Sequence, residues 1–242
     1  MASPVKTYQE EMHGNLGFFA SWLPADPVDV GDIGVLEGGR FRRVGTLAEL
    51  GIPCDVEVTP GKSGMQFTST EGVQLDASGG ANVQAAARFE VSIRFSGAGA
   101  FVFHASGLQL RRLRNRGQVA EAMLDNYERK RWKKEWLLVE SVHAAERASI
   151  IISEDNAARL VLAADVKLPP TISLADPKVG FEVAATEGKL FQTLGAKNLH
   201  PLYSCLRIRD PLFGQAEVMP VRGPGDAANR LARPGIDELI ES

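Results

Sequence analysis

The chain has 242 residues, 44% hydrophobic and 24% charged, a balance that supports a folded core of one large or two small domains and excludes wholesale disorder. No run approaches the roughly 18 consecutive apolar residues of a membrane-crossing helix, and the start MASPVKTYQEEMHG lacks the apolar core of a secretory signal. Two cysteines, Cys54 and Cys205, are too few for a disulfide scaffold or a multi-cysteine zinc site, so the expectation is a cytoplasmic chain with reduced thiols, no metal and no cofactor.

In chain order, WLPADPVDVGDIGVLEGG reads as short strands with tight turns, and Gly38-Gly39 as a hairpin turn between 33–36 and 41–44. Thr46 is placed to cap a short helix, LAELG, stopped by Gly51. The clearest periodicity follows. Between 81 and 95 the odd positions Ala81, Val83, Ala85, Ala87, Phe89, Val91, Ile93 and Phe95 are all apolar, while the even positions are polar except Ala86. Met65, Phe67, Val73 and Leu75 upstream, and Phe101 and Phe103 downstream, keep the odd parity, with Ser78-Gly79-Gly80 as the turn. This period of two predicts a pair of long amphipathic strands.

The charge is unevenly spread. Between 108 and 134 lie nine cations, Arg111, Arg112, Arg114, Arg116, Arg129, Lys130, Arg131, Lys133 and Lys134, against Glu121, Asp125 and Glu128; this segment is +6, and the net charge of −3 leaves −9 on the rest. Such a cluster attracts a polyanion, either nucleic acid or an anionic membrane, or is simply a solvated face. Within it, 117–131 reads as a helix with Val119, Met123, Leu124 and Tyr127 on one face.

EWLLVESV then reads as a strand buried on both sides, and ERASIIISEDNAARLVLAADV as a second hairpin, with Ile150 and Ile152 before the 154–156 turn and Leu160, Leu162 and Ala164 after it. Pro169-Pro170 ends that pattern. Later strands are expected at VGFEVAA and at PLYSCLRIRD, packing Leu202, Cys205, Leu206 and Ile208. Residues 221–242 read as a linker, Gly223-Pro224-Gly225, and a short amphipathic tail carrying Ile236, Leu239 and Ile240, with Arg230 and Arg233 as a candidate cleavage region.

No phosphate-binding loop, GxSxG elbow, HExxH or CxxC occurs, so the chain is not expected to be an enzyme. His13, His104, His143 and His200 are scattered and read as core or surface histidines. A His104–Cys54 base and nucleophile pairing rests on composition alone, and turn chemistry accounts for Asp32 and Asp210.

Long alternating strands suit a soluble sandwich, and they also suit a transmembrane barrel, whose strands alternate apolar-out and polar-in. With these features in order, the sequence resembles the pore-forming N-terminal domain of gasdermins. GVQLDASGGANVQAAARFEVSIRF is similar to the family's first membrane hairpin. LQLRRLRNRGQ and NYERKRWKKEWLLVESVHAAERASIIIS are similar to its helix, following strand and second hairpin, and LHPLYSCLRIRD to its late strand. WLPADPVDVGDIGVLEGGRFRRVGTL is closer to short fungal and bacterial members. The chain departs from bacterial members with an early cysteine, its first being Cys54, and only 221–242 stands where animal gasdermins have a large inhibitory domain.

The resemblance implies an α+β fold, a twisted, mainly antiparallel sheet with long amphipathic hairpins and flanking helices, over a pore-forming domain 1–220; the tail 221–242 either restrains that domain through its apolar stripe or is a frayed end packed for modest stability. It implies a cell-death or defence effector that is cytoplasmic when inactive and membrane-inserted when active. Acidic lipids would be captured by the nine cations. A homo-oligomeric ring would follow, alone or with a related second chain, triggered by an activating protease or by assembly. The membrane-inserting residues would be Val83, Ala85, Ala87, Phe89, Val91, Ile93, Phe95, Phe101, Phe103, Ile150, Ile152, Leu160 and Leu162. The alternative is a soluble protein that binds nucleic acid or an acidic protein partner through 108–134.

Overall fold

The first helix, α1 (Pro4–Leu16), opens on a proline whose fixed φ suits a helical start and buries Val5, Tyr8 and Met12 at helical spacing. The computed structural model describes residues 4–21, 27–69, 71–79, 89–164, 173–176, 179–211 and 215–221. Its strands are β1 (Phe19–Ala20), β2 (Asp32–Glu37), β3 (Arg40–Thr46), β4 (Val56–Val58), β5 (Ser63–Thr68), β6 (Val73–Gly79), β7 (Phe89–Phe95), β8 (Phe101–Leu113), β9 (Leu137–Ser153), β10 (Ala158–Ala164), β11 (Glu182–Glu187), β12 (Leu190–Arg209) and β13 (Glu217–Pro220). The second helix, α2 (Arg116–Glu128), follows β8. With antiparallel pairings throughout the registers, this is an α+β fold, as expected. The chain divides into two compact units, one of 1–8, 62–108 and 145–199, the other of 9–61, 109–144 and 200–242.

In the second of these, β2 and β3 form the expected hairpin. Gly38 (φ 56°) and Gly39 (φ 78°) occupy the left-handed region that a two-residue hairpin loop demands. The register slips between Ile33 and Gly34, so Val44 is the extra residue of a β-bulge. A Cβ at Gly34 would lie 2.5 Å from the Arg42 carbonyl oxygen and 2.5 Å from the Phe41 ring, so only glycine fits there. The predicted helix after Thr46 is one turn. Thr46 Oγ1 accepts from the Glu49 N–H (3.2 Å) and Glu49 Oε2 from the Thr46 N–H (2.8 Å), and Gly51 (φ 70°) ends it before a second turn can form. On one side of the sheet Phe19, Leu36, Leu137, Val139, Tyr203 and Cys205 pack together, and on the other Ile33, Val119, Met123, Trp132, Leu138 and Leu206.

In the first unit, a four-stranded sheet runs β11-β10-β7-β6. Its rows read Leu75–Ile93–Leu160 and Ala77–Val91–Leu162 on one face, and Gln74–Arg94–Arg159–Glu187 and Asp76–Ser92–Val161 on the other. Val91, Ile93, Phe95, Leu160 and Leu162 are buried in one cluster with Ile151. The odd parity therefore holds through 91–95; positions 81–88, with Val83, Ala85 and Ala87, lie outside the described residues.

Several expectations are corrected. Ser78 and Gly79 are strand residues paired with Glu90 and Phe89, so the turn is not at 78–79. EWLLVESV and ERASIIIS are one 17-residue strand, β9, and the second hairpin is absent: β10 pairs with β7 and β11. The turn 154–157 is held instead by the start of β12, where Asp155 Oδ2 accepts from the Lys189 N–H (2.7 Å) and Lys189 O from the Glu154 N–H (2.9 Å). Ile150, Ile151 and Ile152 are all buried, as are 160–164 and Phe101–Ala105, so alternation is lost in these strands because both faces are covered. The expected strands at 179–185 and 201–210 form over Glu182–Glu187 and Leu190–Arg209, and Leu202, Cys205, Leu206 and Ile208 are buried as expected. Pro169-Pro170 and the tail from 222 onward lie outside the described residues.

Candidate functional site

The nine cations fall into two environments. Arg111 and Arg112 lie on β8, which pairs with β4 so that Arg112 stands opposite Glu57. Each of the first four arginines meets an acid: Arg111 with Asp29 (3.3 Å), Arg112 with Glu57, Arg114 with Asp55 (3.9 Å) and Arg116 with Glu140 (3.2 Å). Glu140 is largely buried; burial pushes its carboxyl above the usual range, opposed by Arg116 and by a hydrogen bond with Ser204.

The other five follow α2. Gln118 to Leu124 are helix formers that bury Val119 and Met123 on one face. The helix starts at Arg116, so Gly117 lies inside it rather than before it. It closes in a Schellman motif: Arg131 N–H donates to Asn126 O (2.8 Å), Lys130 N–H to Tyr127 O (2.9 Å), and Lys130 takes the left-handed conformation (φ 57°) usually reserved for glycine. Trp132 is buried with Val119, Met123 and Leu138, and this anchor turns Arg129, Lys130 and Arg131 outward, all exposed. Among the described residues no ion pair involves these three or Lys133 and Lys134. Lys133 lies 5.8 Å from the Trp136 ring centroid, and Lys134 Nζ donates to the Asp210 carbonyl (3.3 Å). Trp136 packs edge-on to Trp132, centroids 5.8 Å apart. Beside this turn a groove of about 470 Å³ opens between Trp136 and the β2–β3 hairpin.

Sequence reasoning found the cations and missed their partners. Asp29, Asp55, Glu57 and Glu140 stand far from the arginines in the chain, and no local pattern announces the pairing. Sequence reasoning also missed Trp132 and Trp136, whose signal is that they break the charged run ERKRWKKEW.

Neither member of the His104–Cys54 pairing is suited to catalysis. His104 Nδ1 already accepts the Leu174 N–H (3.0 Å), and burial pulls the ring down to about 4. Burial first, then Asp29 and Asp55, push the Cys54 thiol up, which withholds the thiolate. Asp32 Oδ2 accepts from the Asp29 N–H (2.9 Å), the expected turn contact, and Asp32 also pairs with Arg43 (3.5 Å), whereas Asp210 accepts the hydroxyl of Tyr127 on α2 (2.6 Å), 83 positions away, which turn chemistry does not account for. His13 and His143 are core histidines against Phe19 and Phe18, and His200 is hydrogen-bonded to Val28 O. Among the described residues no helix is long and apolar enough to cross a membrane, and no group of three or more His, Cys, Asp or Glu could hold a metal ion.

No family model matches this chain, and no curated protein does. Among solved structures, the cryo-EM structure of the gasdermin A3 membrane pore is similar over 96% of this chain and 98% of its own, with 10% identity and a TM-score of 0.41. A likeness of this size assigns neither family nor activity.

Proposed function

We propose that this chain is a pore-forming protein that meets an anionic membrane through the cations of 129–134, assembles with copies of itself, and inserts β6 and β7 as strands of a β-barrel. The observation that carries the reading is the separation of faces on these paired strands: Val91, Ile93 and Phe95 on one side, Glu90, Ser92 and Arg94 on the other. A barrel satisfies every backbone group inside lipid and asks for this alternation and nothing more specific. Val91, Ile93 and Phe95, like the remaining insertion residues Phe101, Phe103, Ile150, Ile152, Leu160 and Leu162, are buried here and would have to be uncovered. Five outward cations can hold a protein on acidic lipid at about 1 kcal/mol each. In this reading the pore-forming part is 1–220, the tail restrains it until a protease cuts near Arg230 or Arg233 or a partner displaces it, and the setting is cell death or defence, with a cytoplasmic inactive form.

Leu75 supplies the test. It shares the face of Ile93, with which it is paired, yet is 47% exposed, so Leu75→Asp spares the fold while placing a carboxylate where lipid would lie. Dye release from vesicles rich in acidic lipid is expected from wild type or from the chain truncated after Arg222, and from Asp76→Asn, but not from Leu75→Asp, with circular dichroism unchanged throughout. Release by Leu75→Asp at the wild-type rate overturns the insertion. Retardation of nucleic acid without any vesicle binding replaces the reading with the soluble alternative.

A further inference from the structure

The groove beside Trp136 has a construction that surface attraction to a membrane does not require. Its apolar wall is Val35, Leu36, Val44, Trp136 and Leu137. Leu36 and Leu137 are buried core residues, so the floor is rigid, whereas Val44 is 40% exposed. The bulge that makes Val44 supernumerary in β3 is what leaves it out of step with the ladder and on the rim. About 470 Å³ falls in the size range of small-molecule sites.

The charges on the lining include a self-neutralising pair and an unpaired cation. Glu37 and Arg42 bind each other through two hydrogen bonds (2.6 and 2.7 Å) and cancel. Lys133 lies near the Trp136 ring and leads into Arg129, Lys130, Arg131 and Lys134, with Glu135 the one unpaired acid on the lining. An apolar slot bordered by an unpaired cationic turn is complementary to a molecule with an apolar chain and an anionic head. We infer that the groove takes one acyl chain of an anionic lipid, with the lipid phosphate against Lys133 and the 129–134 turn. This inference rests on the membrane reading and deepens it: the turn would extract a chain from the bilayer surface rather than only touch headgroups.

The test uses the full chain and single-chain lysophosphatidates of six, eight and ten carbons, each below its micelle concentration, with glycerol 3-phosphate as the head alone, followed by titration calorimetry. Affinity is expected to rise about tenfold for each two methylenes added, as burial of apolar chain requires, with glycerol 3-phosphate silent at the same concentrations. Val44→Asp, at an exposed position, should weaken the eight-carbon ligand at least tenfold with an unchanged dichroism spectrum, and Lys133→Ala should weaken every chain length by a similar factor. Equal binding of glycerol 3-phosphate, or affinity independent of chain length, reduces the site to a phosphate contact and overturns the proposal. Binding only after truncation at Arg222 assigns the groove to the chain's own tail and overturns it too. Leu75→Asp should abolish dye release and leave this titration unchanged, so loss of the pore reading and loss of the groove assignment give different results.

Discussion

The arginines of 111–116 and the cations of 129–134 belong to one run of positive charge in the sequence, yet they differ in what surrounds them. The first group extends from a strand onto the start of α2, where neighbouring segments supply one acid each. The second sits on a turn pinned by Trp132, where the chain bends sharply and, among the described residues, no acid pairs with it. Paired charges are near-neutral dipoles at the distance of a docking surface, and exposed pairs contribute at most about 1 kcal/mol to stability. Unpaired cations keep their full attraction for an anionic surface. The difference teaches that positive charge counted along a chain overstates the charge it can offer a partner.

The largest expected effect separates the two groups directly. Replacing Arg129, Lys130 and Arg131 together with Gln should lower binding to acidic vesicles about 100-fold, at about 1 kcal/mol per cation, and the remaining binding should lose most of its salt dependence. Neutralising a pair, Arg112→Gln with Glu57→Gln, should leave sedimentation with the same vesicles within about twofold, because an exposed pair presents little net charge to the surface. Equal losses from the two sets would break the comparison.

How much of this was legible beforehand follows the range of the interactions. The Gly38-Gly39 hairpin and the parity of Val91, Ile93 and Phe95 were readable because both are set within a few residues, by backbone conformation and by the two-residue repeat. Helix α1 was missed: Gln9 and His13 interrupt its apolar face, and Gln9 is buried only because its amide donates to Gly39 O (3.1 Å) and accepts from the Ala20 N–H (2.9 Å). The false second hairpin had the right strands and the wrong partner, since β10 is claimed by β7 and β11. A turn sequence such as Glu154-Asp155-Asn156 specifies a bend and says nothing of the ladder beyond it. The acids that neutralise the arginines were illegible for the same reason: the Arg111–Asp29 pair spans 82 positions and Arg112–Glu57 spans 55.

A smaller effect probes Arg116–Glu140, whose acid is the most buried of the four that meet these arginines. Arg116→Ala leaves Glu140 without its cation and should destabilise the chain by about 1–2 kcal/mol at pH 7, the range for an uncompensated, part-buried charge held by one remaining hydrogen bond. The sign with pH is set by the direction of the shift. Burial raises the folded-state carboxyl above its unfolded value of 4.5, so the folded state binds the proton more tightly and Glu140's contribution falls as pH rises through the raised value. Below that range Glu140 is neutral and needs no partner. The penalty of Arg116→Ala, measured by denaturant unfolding, should therefore shrink toward zero near pH 4 and be complete at pH 7, and Glu140→Gln should remove the pH dependence. A penalty constant across that range would mean Arg116 acts by packing alone.

The smallest effect is the most discriminating for the free group, because it sets stability against charge at one residue. Lys130 closes α2 in the left-handed region, where a side chain with a Cβ is strained by about 1 kcal/mol relative to glycine. Lys130→Gly keeps both closing hydrogen bonds, which are made by backbone atoms, and relieves that strain. The variant should be more stable by about 1 kcal/mol, read as a shift of the denaturant midpoint with an unchanged slope. It should also bind acidic vesicles about fivefold more weakly, the equivalent of one cation at about 1 kcal/mol. A gain in stability with undiminished binding would show that position 130 carries no charge the membrane feels, and the docking surface would then begin at Arg131. Lys130→Arg, which keeps both the strain and the charge, should change neither quantity.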